Sequence, residues 1–277
     1  MSAPETQSES LARTLLEAMG LNVEKLPEGG GMRMADFRAC DAQQSYLVEV
    51  TDRAPDRQYR EFLKEVNEKR FATVIRTMDR SKTLDRKVED KADQLAKTPR
   101  EADFKTLWIT ALHDDALHLC EALQRTLYGM ADLLGVRRDN DPSEFPPTPL
   151  MAFYYDDFAF SDCRDVDGVA FVSNEAVSMF VNPLCPRVAE FKRSKLCHGF
   201  AQKGALFDPA ELGDHPDILF LDYDADRSNP RVKWDAVRKK YGWHTTQTRD
   251  SCWQGMIAIP APAASAAALR QAHDKVK

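Results

Sequence analysis

Two acids, Asp36 and Glu49, are the residues whose type and spacing could do chemistry in this chain. They fall in the stretch MADFRACDAQQSYLVEVTDR, residues 34–53, which reads as a β-hairpin. Asp36 lies in an apolar-flanked first strand, a polar turn spans residues 41–45, and YLVEVT at 46–51 forms the second strand. Two carboxylates on paired strands can share a hard divalent cation, which activates water and neutralises charge on a phosphate. Such chemistry commonly adds a lysine to position or deprotonate the water. Strand alternation puts Glu49 and Thr51 on one face, continued by Arg53 if the strand persists, so a threonine stands where the lysine would be. A hydroxyl is a poor base near neutral pH without activation. Three explanations stand side by side. The charge comes from Arg53, Lys64 or Lys91; the acids and metal work alone; or the site is inactive and the fold is kept for binding. A hairpin whose acids simply face water is the plain structural reading of the same residues.

The elements that must hold these acids can be read around them. Residues 8–19 form a helix with an apolar stripe of Leu11, Leu15, Leu16 and Met19, capped by Ser8 or Ser10 and stopped by Gly20. Residues 21–26 alternate as a first strand, and the Gly29–Gly31 run is a turn with no phosphate-binding role, since no helix follows. Residues 55–97 read as two charged amphipathic helices interrupted near 81–83, the second carrying Lys87, Lys91 and Lys97 on what is most simply a solvated face. FKTLWITAL, residues 104–112, is a strand buried on both sides, and His113-Asp-Asp opens a helix running to residue 134. This α-β-β-β-α-β-α succession implies an α/β fold with a mixed sheet flanked by helices.

The layout resembles the PD-(D/E)xK nuclease superfamily, the restriction-endonuclease-like fold, over residues 8–134. Ala35-Asp36 stands for the PD step and Glu49-Val50-Thr51 for a degenerate (D/E)xK step, with twelve residues between the acids. The leading helix and first strand agree, and Glu9 or Glu17 matches the additional helix acid of some members. Gln124 and Tyr128 resemble the Q-x-x-x-Y motif of RecB-type members, where the two residues contact DNA; Tyr128 also suits ordinary core packing. The resemblance implies a DNA nuclease dependent on Mg2+ or Mn2+, in a prokaryotic repair, restriction or defence setting. It places metal on Asp36 and Glu49, lines the site with Thr51, and gives Gln124 and Tyr128 to the substrate; the charges of Arg53 and Lys91 make these two further substrate-binding candidates. A catalytically inactive module of the same fold, binding a protein partner or a second copy, is the alternative.

Composition narrows the rest. With 43% hydrophobic and 30% charged residues the chain is an ordinary globular one, and its net charge of −6 excludes a wholesale basic surface but not a local basic groove. No apolar run reaches the roughly 18–20 residues of a membrane span, and MSAPETQSES lacks the features of a signal peptide, so no membrane and a cytoplasmic location are expected. Six scattered cysteines fit a reducing compartment, and Cys185, Cys197 and His198 match no zinc spacing. Asp114-Asp115, Asp156-Asp157 and Asp222-Tyr-Asp-Ala-Asp226 are acid clusters at strand ends; the last has the make-up of a magnesium site at a strand terminus but is better read as capping and turn chemistry before the Pro230 helix. The proline-rich residues 136–149 divide a nuclease-like core, 1–135, from a C-terminal α/β region, 150–277. That region carries strands near 151–155, 168–172, 177–181, 218–223 and 256–259, and a helix begun by Pro230.

Overall fold

The structure is a computed structural model and describes residues 4–27, 34–77, 79–137, 148–203, 205–249 and 252–258. Helix α1 (Gln7–Ala18) starts in a capping box, the Thr6 hydroxyl accepting the Glu9 N–H while the Glu9 carboxylate accepts the Thr6 N–H. Strands β1 (Asn22–Lys25), β2 (Phe37–Cys40) and β3 (Ser45–Asp52) follow as antiparallel neighbours. Asp41 fixes the β2–β3 turn by accepting the N–H groups of Gln43 and Gln44. The chain continues through α2 (Arg57–Lys69), β4 (Phe71–Thr77), α3 (Lys82–Lys97), β5 (Phe104–Ala111), α4 (Ala116–Tyr128), β6 (Ala131–Arg137) and β7 (Thr148–Phe153). It then forms α5 (Ala159–Asp162), β8 (Gly168–Ser173), β9 (Val177–Val181), α6 (Val188–Lys192), α7 (Lys195–Ala201), β10 (Leu206–Phe207) and β11 (Ile218–Phe220). Last come α8 (Pro230–Tyr241), β12 (Trp243–Arg249) and β13 (Cys252–Ala258).

The larger of two compact units comprises Met1–Ala54 and Met78–Ser251. Its centre is a seven-stranded mixed sheet ordered β1-β2-β3-β5-β8-β9-β10, with β3, β5 and β8 parallel. On one face, Ala12 and Leu16 of α1 and Leu196 and Phe200 of α7 bury Tyr46, Val48, Trp108 and Ala170. On the other, Leu84, Val88 and Leu95 of α3 and Leu123 and Leu127 of α4 bury Leu47, Leu107, Ile109 and Phe171. The expected mixed sheet flanked by helices is therefore what the chain forms. A second sheet, β11-β7-β6-β12, packs on Val237 of α8. Among the described residues no helix is long and apolar enough to cross a membrane.

Three expectations need correction. Residues 71–77 form strand β4 rather than helix: Arg70 adopts φ +65° and ends α2, and the β-branched Thr73, Val74, Ile75 and Thr77 favour the extended chain. The helix expected to reach residue 134 stops at Tyr128, because Gly129 turns left-handed at φ +55° and any Cβ there would meet the Asp156 carbonyl oxygen at 2.2 Å. The boundary at 135 does not divide the fold either. Strands β8 to β10 complete the sheet begun by β1, and residues 136–137 and 148–149 of the expected linker lie in β6 and β7. Residues 138–147 lie outside the described residues.

The smaller unit comprises Pro55–Thr77 and Cys252–Lys277. Asp56 caps α2 by accepting the Tyr59 N–H, and Tyr59, Phe62 and Val66 pack on Ala72 and Val74 of a two-stranded antiparallel ribbon, β4 with β13. Phe71 and Ile75, on the other face of β4 by alternation, are exposed.

Candidate active site

Asp36 sits one residue before β2 and straddles Glu49. Its N–H donates to the Val48 carbonyl at 3.1 Å, and its Oδ2 accepts the Val50 N–H at 2.7 Å. The carboxylate thus takes over a ladder hydrogen bond of β3 where β2 ends, which fixes it beside Glu49. On β3, Tyr46, Val48 and Val50 belong to the α1 face, so Leu47, Glu49 and Thr51 share the α3 face. The expected pairing of the two acids is met. Glu49, 1% exposed, is no water-facing edge acid, and Asp36 is partly buried beside it.

What covers Glu49 is α3. The core stripe of that helix runs Leu84, Val88, Lys91, Leu95, and the lysine interrupts it where Glu49 interrupts the apolar face of β3. The Lys91 ammonium bonds Glu49 Oε1. One turn on, Gln94 Nε2 donates to Glu49 Oε2 at 2.8 Å and to the Met34 carbonyl at 2.6 Å, while its Oε1 accepts from Lys91 at 3.1 Å. Burial pushes the Glu49 pKa up to about 8, with the neighbouring Asp36 charge adding to the rise. Burial likewise raises Asp36 to about 6. Two carboxylates this close in a dry site resist ionising together, and the Lys91 ammonium offsets part of that cost.

Further charge lies behind Asp36. Glu9 of α1 is buried and bonded to Lys25 of β1 at 3.2 Å, and both contribute to the field at Asp36. Glu9 is thus the helix acid near the site, whereas Glu17 is half exposed and pairs with Arg13 at 3.6 Å. Lys25 and Gln94 were missed by sequence reading. Gln94 was legible, because Lys87, Lys91 and Gln94 follow i, i+4, i+7 spacing; nothing in the β1 sequence singles out Lys25.

Lys91 and Gln94 also line an open cleft of about 920 Å³ along α3. Arg53, Lys82, Arg86, Lys87, Lys91 and Lys97 face it against Asp90 and Asp93. Arg53 therefore lies in the cleft rather than against the acids, and His113 Nε2 donates to its carbonyl at 3.1 Å. Lys87 donates to the Asp52 carbonyl at 2.7 Å, and burial lowers its pKa. Lys64 belongs to the smaller unit, where it pairs with Glu68 at 3.8 Å. Thr51 is 7% exposed on the α3 face of β3, and its hydroxyl has no hydrogen-bond partner among the described residues.

The Q-x-x-x-Y expectation needs correction at Tyr128. That ring has no exposed surface, its hydroxyl donates to the Val181 carbonyl at 2.8 Å, and Phe153, Phe160, Phe180 and Phe207 surround it. It is core. Gln124 is half-buried on the same helix and borders neither the cleft nor the acids. Cys185, likewise, spends its thiol on Asp167, and Asp226 accepts from Ser228 in a turn before α8.

Among the described residues no three His, Cys, Asp or Glu side chains converge as a metal cage. A Mg2+-type ion does not require one, since it is commonly held by one or two carboxylates with water and substrate phosphate completing the shell. Asp36 and Glu49 fit that donor set. No family model matches this chain, and comparison with curated proteins and with solved structures gives no significant match.

Proposed function

We propose that this protein is a metal-dependent nuclease of the PD-(D/E)xK type, hydrolysing phosphodiester bonds of DNA at Asp36 and Glu49. The observation that carries the reading is the Lys91–Glu49 contact under a basic cleft. A buried ion pair is poor value for stability, since well-packed apolar residues usually do as well. Its presence in the middle of an apolar stripe therefore points to chemistry. Lys91 supplies from α3 the charge that the threonine at 51 cannot supply from β3.

Asp36 and Glu49 would hold Mg2+ or Mn2+, which supplies an activated water and neutralises charge on the phosphate. Gln94 orients Glu49, and Lys91 stands between the acids and the cleft. Arg53, Lys82, Arg86 and Lys87 attract the phosphate backbone to a protein that is otherwise acidic.

The test is cleavage of single- and double-stranded DNA with Mg2+ or Mn2+, repeated with Asp36→Ala and Glu49→Ala. Each substitution is expected to reduce the rate by at least about 10³-fold, several kcal/mol of lost charge stabilisation. Cleavage that survives both would end the assignment. A second reading, a non-catalytic binding module, is favoured by the enclosure of Glu49 and by Phe71 and Ile75 exposed in the smaller unit. Absence of cleavage with every metal and substrate would select it.

A further inference from the structure

Glu49 is almost wholly enclosed, yet the lysine that closes it off is not. The Lys91 side chain is 23% exposed, lines the cleft, and lies one turn from Lys87 on the same helix face. Its ammonium occupies one oxygen of Glu49 while Gln94 holds the other and is itself anchored to the Met34 carbonyl. Glu49 would therefore keep its orientation if Lys91 left. Lys91, in turn, has somewhere to go: a four-carbon stem lets the ammonium turn toward a cleft already rich in cations, where an anionic ligand would receive it.

We propose that Lys91 is a displaceable counter-ion that couples the two halves of the site. This rests on the nuclease reading above. With the acids alone, the ammonium partly offsets the charge of Glu49. A divalent cation shared by Asp36 and Glu49 makes that position repulsive for a second positive charge. Lys91 then turns into the cleft and binds phosphate. Metal and polyanion consequently strengthen each other's binding, and by linkage the effect is reciprocal. Removing a lysine fixed on Glu49 for structural reasons would also loosen its hold on the metal site, but such a lysine would carry no coupling: the gain that Mn2+ gives oligonucleotide binding would survive its loss.

The test is binding, not turnover. Mn2+ affinity is measured by calorimetry on the full chain and on Lys91→Met, Lys91→Arg and Glu49→Gln. Affinity for a short fluorescein-labelled oligodeoxynucleotide is measured by anisotropy with and without Mn2+. Thermal unfolding checks each variant for folding. Lys91→Met is expected to bind Mn2+ at least about tenfold more tightly, the effect of removing one adjacent like charge. The same variant should bind the oligonucleotide more weakly and lose most of the gain that Mn2+ gives the unaltered chain. Lys91→Arg, which keeps the charge, should show neither the tenfold tightening of Mn2+ nor the loss of coupling expected of Lys91→Met. Mn2+ binding to Lys91→Met no tighter than that of the unaltered chain, or a Mn2+-dependent gain in oligonucleotide binding that persists in Lys91→Met, overturns the proposal while leaving the metal site standing. Mn2+ binding that is absent throughout, or untouched by Glu49→Gln, overturns the nuclease reading and the proposal together.

Discussion

The larger unit carries two charged clefts, and only one of them has charge to spare. The cleft along α3 sets six cationic side chains against two carboxylates, and Arg53, Lys82 and Arg86 have no ion-pair partner among the described residues. The other, about 690 Å³, sets Arg80, Arg125, Arg227 and Lys233 against Asp79, Asp132, Asp156 and Asp157. There the cations are spent. Arg125 bonds Asp132 at 3.0 Å, Lys233 bonds Asp156 at 2.6 Å, Arg80 holds Asp85, and Arg227 donates to four backbone carbonyls. Similar composition serves opposite ends. Balanced charge ties elements together; unbalanced charge awaits a ligand.

That contrast can be broken in four ways. The largest effect is expected at Arg125→Ala, which removes a buried guanidinium bonded to Asp132 and Glu121 and should cost about 3 kcal/mol of stability. Urea unfolding would show it, while oligonucleotide binding by the folded fraction stays unchanged; a binding loss without a stability loss would reverse the roles of the two clefts. Next is the pH dependence of the metal-free protein. Glu49 and Asp36 titrate at about 8 and about 6 when folded, above their ordinary 4.5 and 3.8. The folded state therefore holds protons that the unfolded chain releases. Stability should fall as pH rises from near 4 to about 8, by at most about 1.4 kcal/mol per unit for each group, and then level off. Glu49→Gln should flatten the upper part of that fall, and a stability that climbs over this interval would contradict the buried pair.

A smaller effect is expected from the paired substitution Lys82→Ala with Arg86→Ala. Stability should stay within about 0.5 kcal/mol, as for exposed sites without partners. Oligonucleotide affinity should drop about tenfold, and the slope of log affinity against log salt should shrink by about one for each cation. An unchanged slope would remove these residues from the interface. The smallest effect belongs to Thr51→Val. With no hydrogen bond to lose, stability and cleavage should change by less than about 1 kcal/mol equivalent. A large loss of cleavage at constant stability would restore Thr51 to the chemistry.

The parts legible in the sequence were those set by local pattern. The acids declared themselves through strand alternation around Glu49, and Pro230 marked the start of α8 as observed. Strand β9 was legible at both ends, because Val177 to Val181 is a short β-rich run between polar turns. The failures came where tertiary context outweighed pattern. A helical spacing of apolar residues through 62–78 concealed β4, whose partner β13 lies near the other end of the chain. Gln124 and Tyr128 have the right spacing, but Tyr128 is core and Gln124 is half-buried away from the cleft, a matter of which helix face packs inward. Lys91 was read equally well as a solvated charge, and only the register of α3 over β3 sets it on Glu49. The proline-rich stretch looked like a domain boundary, yet a sheet can be completed by strands from beyond it.

The ribbon of the smaller unit has a consequence for how the chain is made. Thr77 of β4 pairs with Cys252 and Phe71 with Ala258, so the ribbon cannot close until residues 252–258 have left the ribosome. At 5–20 residues per second the wait is roughly ten to forty seconds. Throughout it β4 is an unpaired edge bearing Phe71 and Ile75, the kind of surface that nascent-chain chaperones engage and that aggregates when synthesis stops short. A chain ending before β13 would keep the seven strands of its main sheet and still carry that open edge.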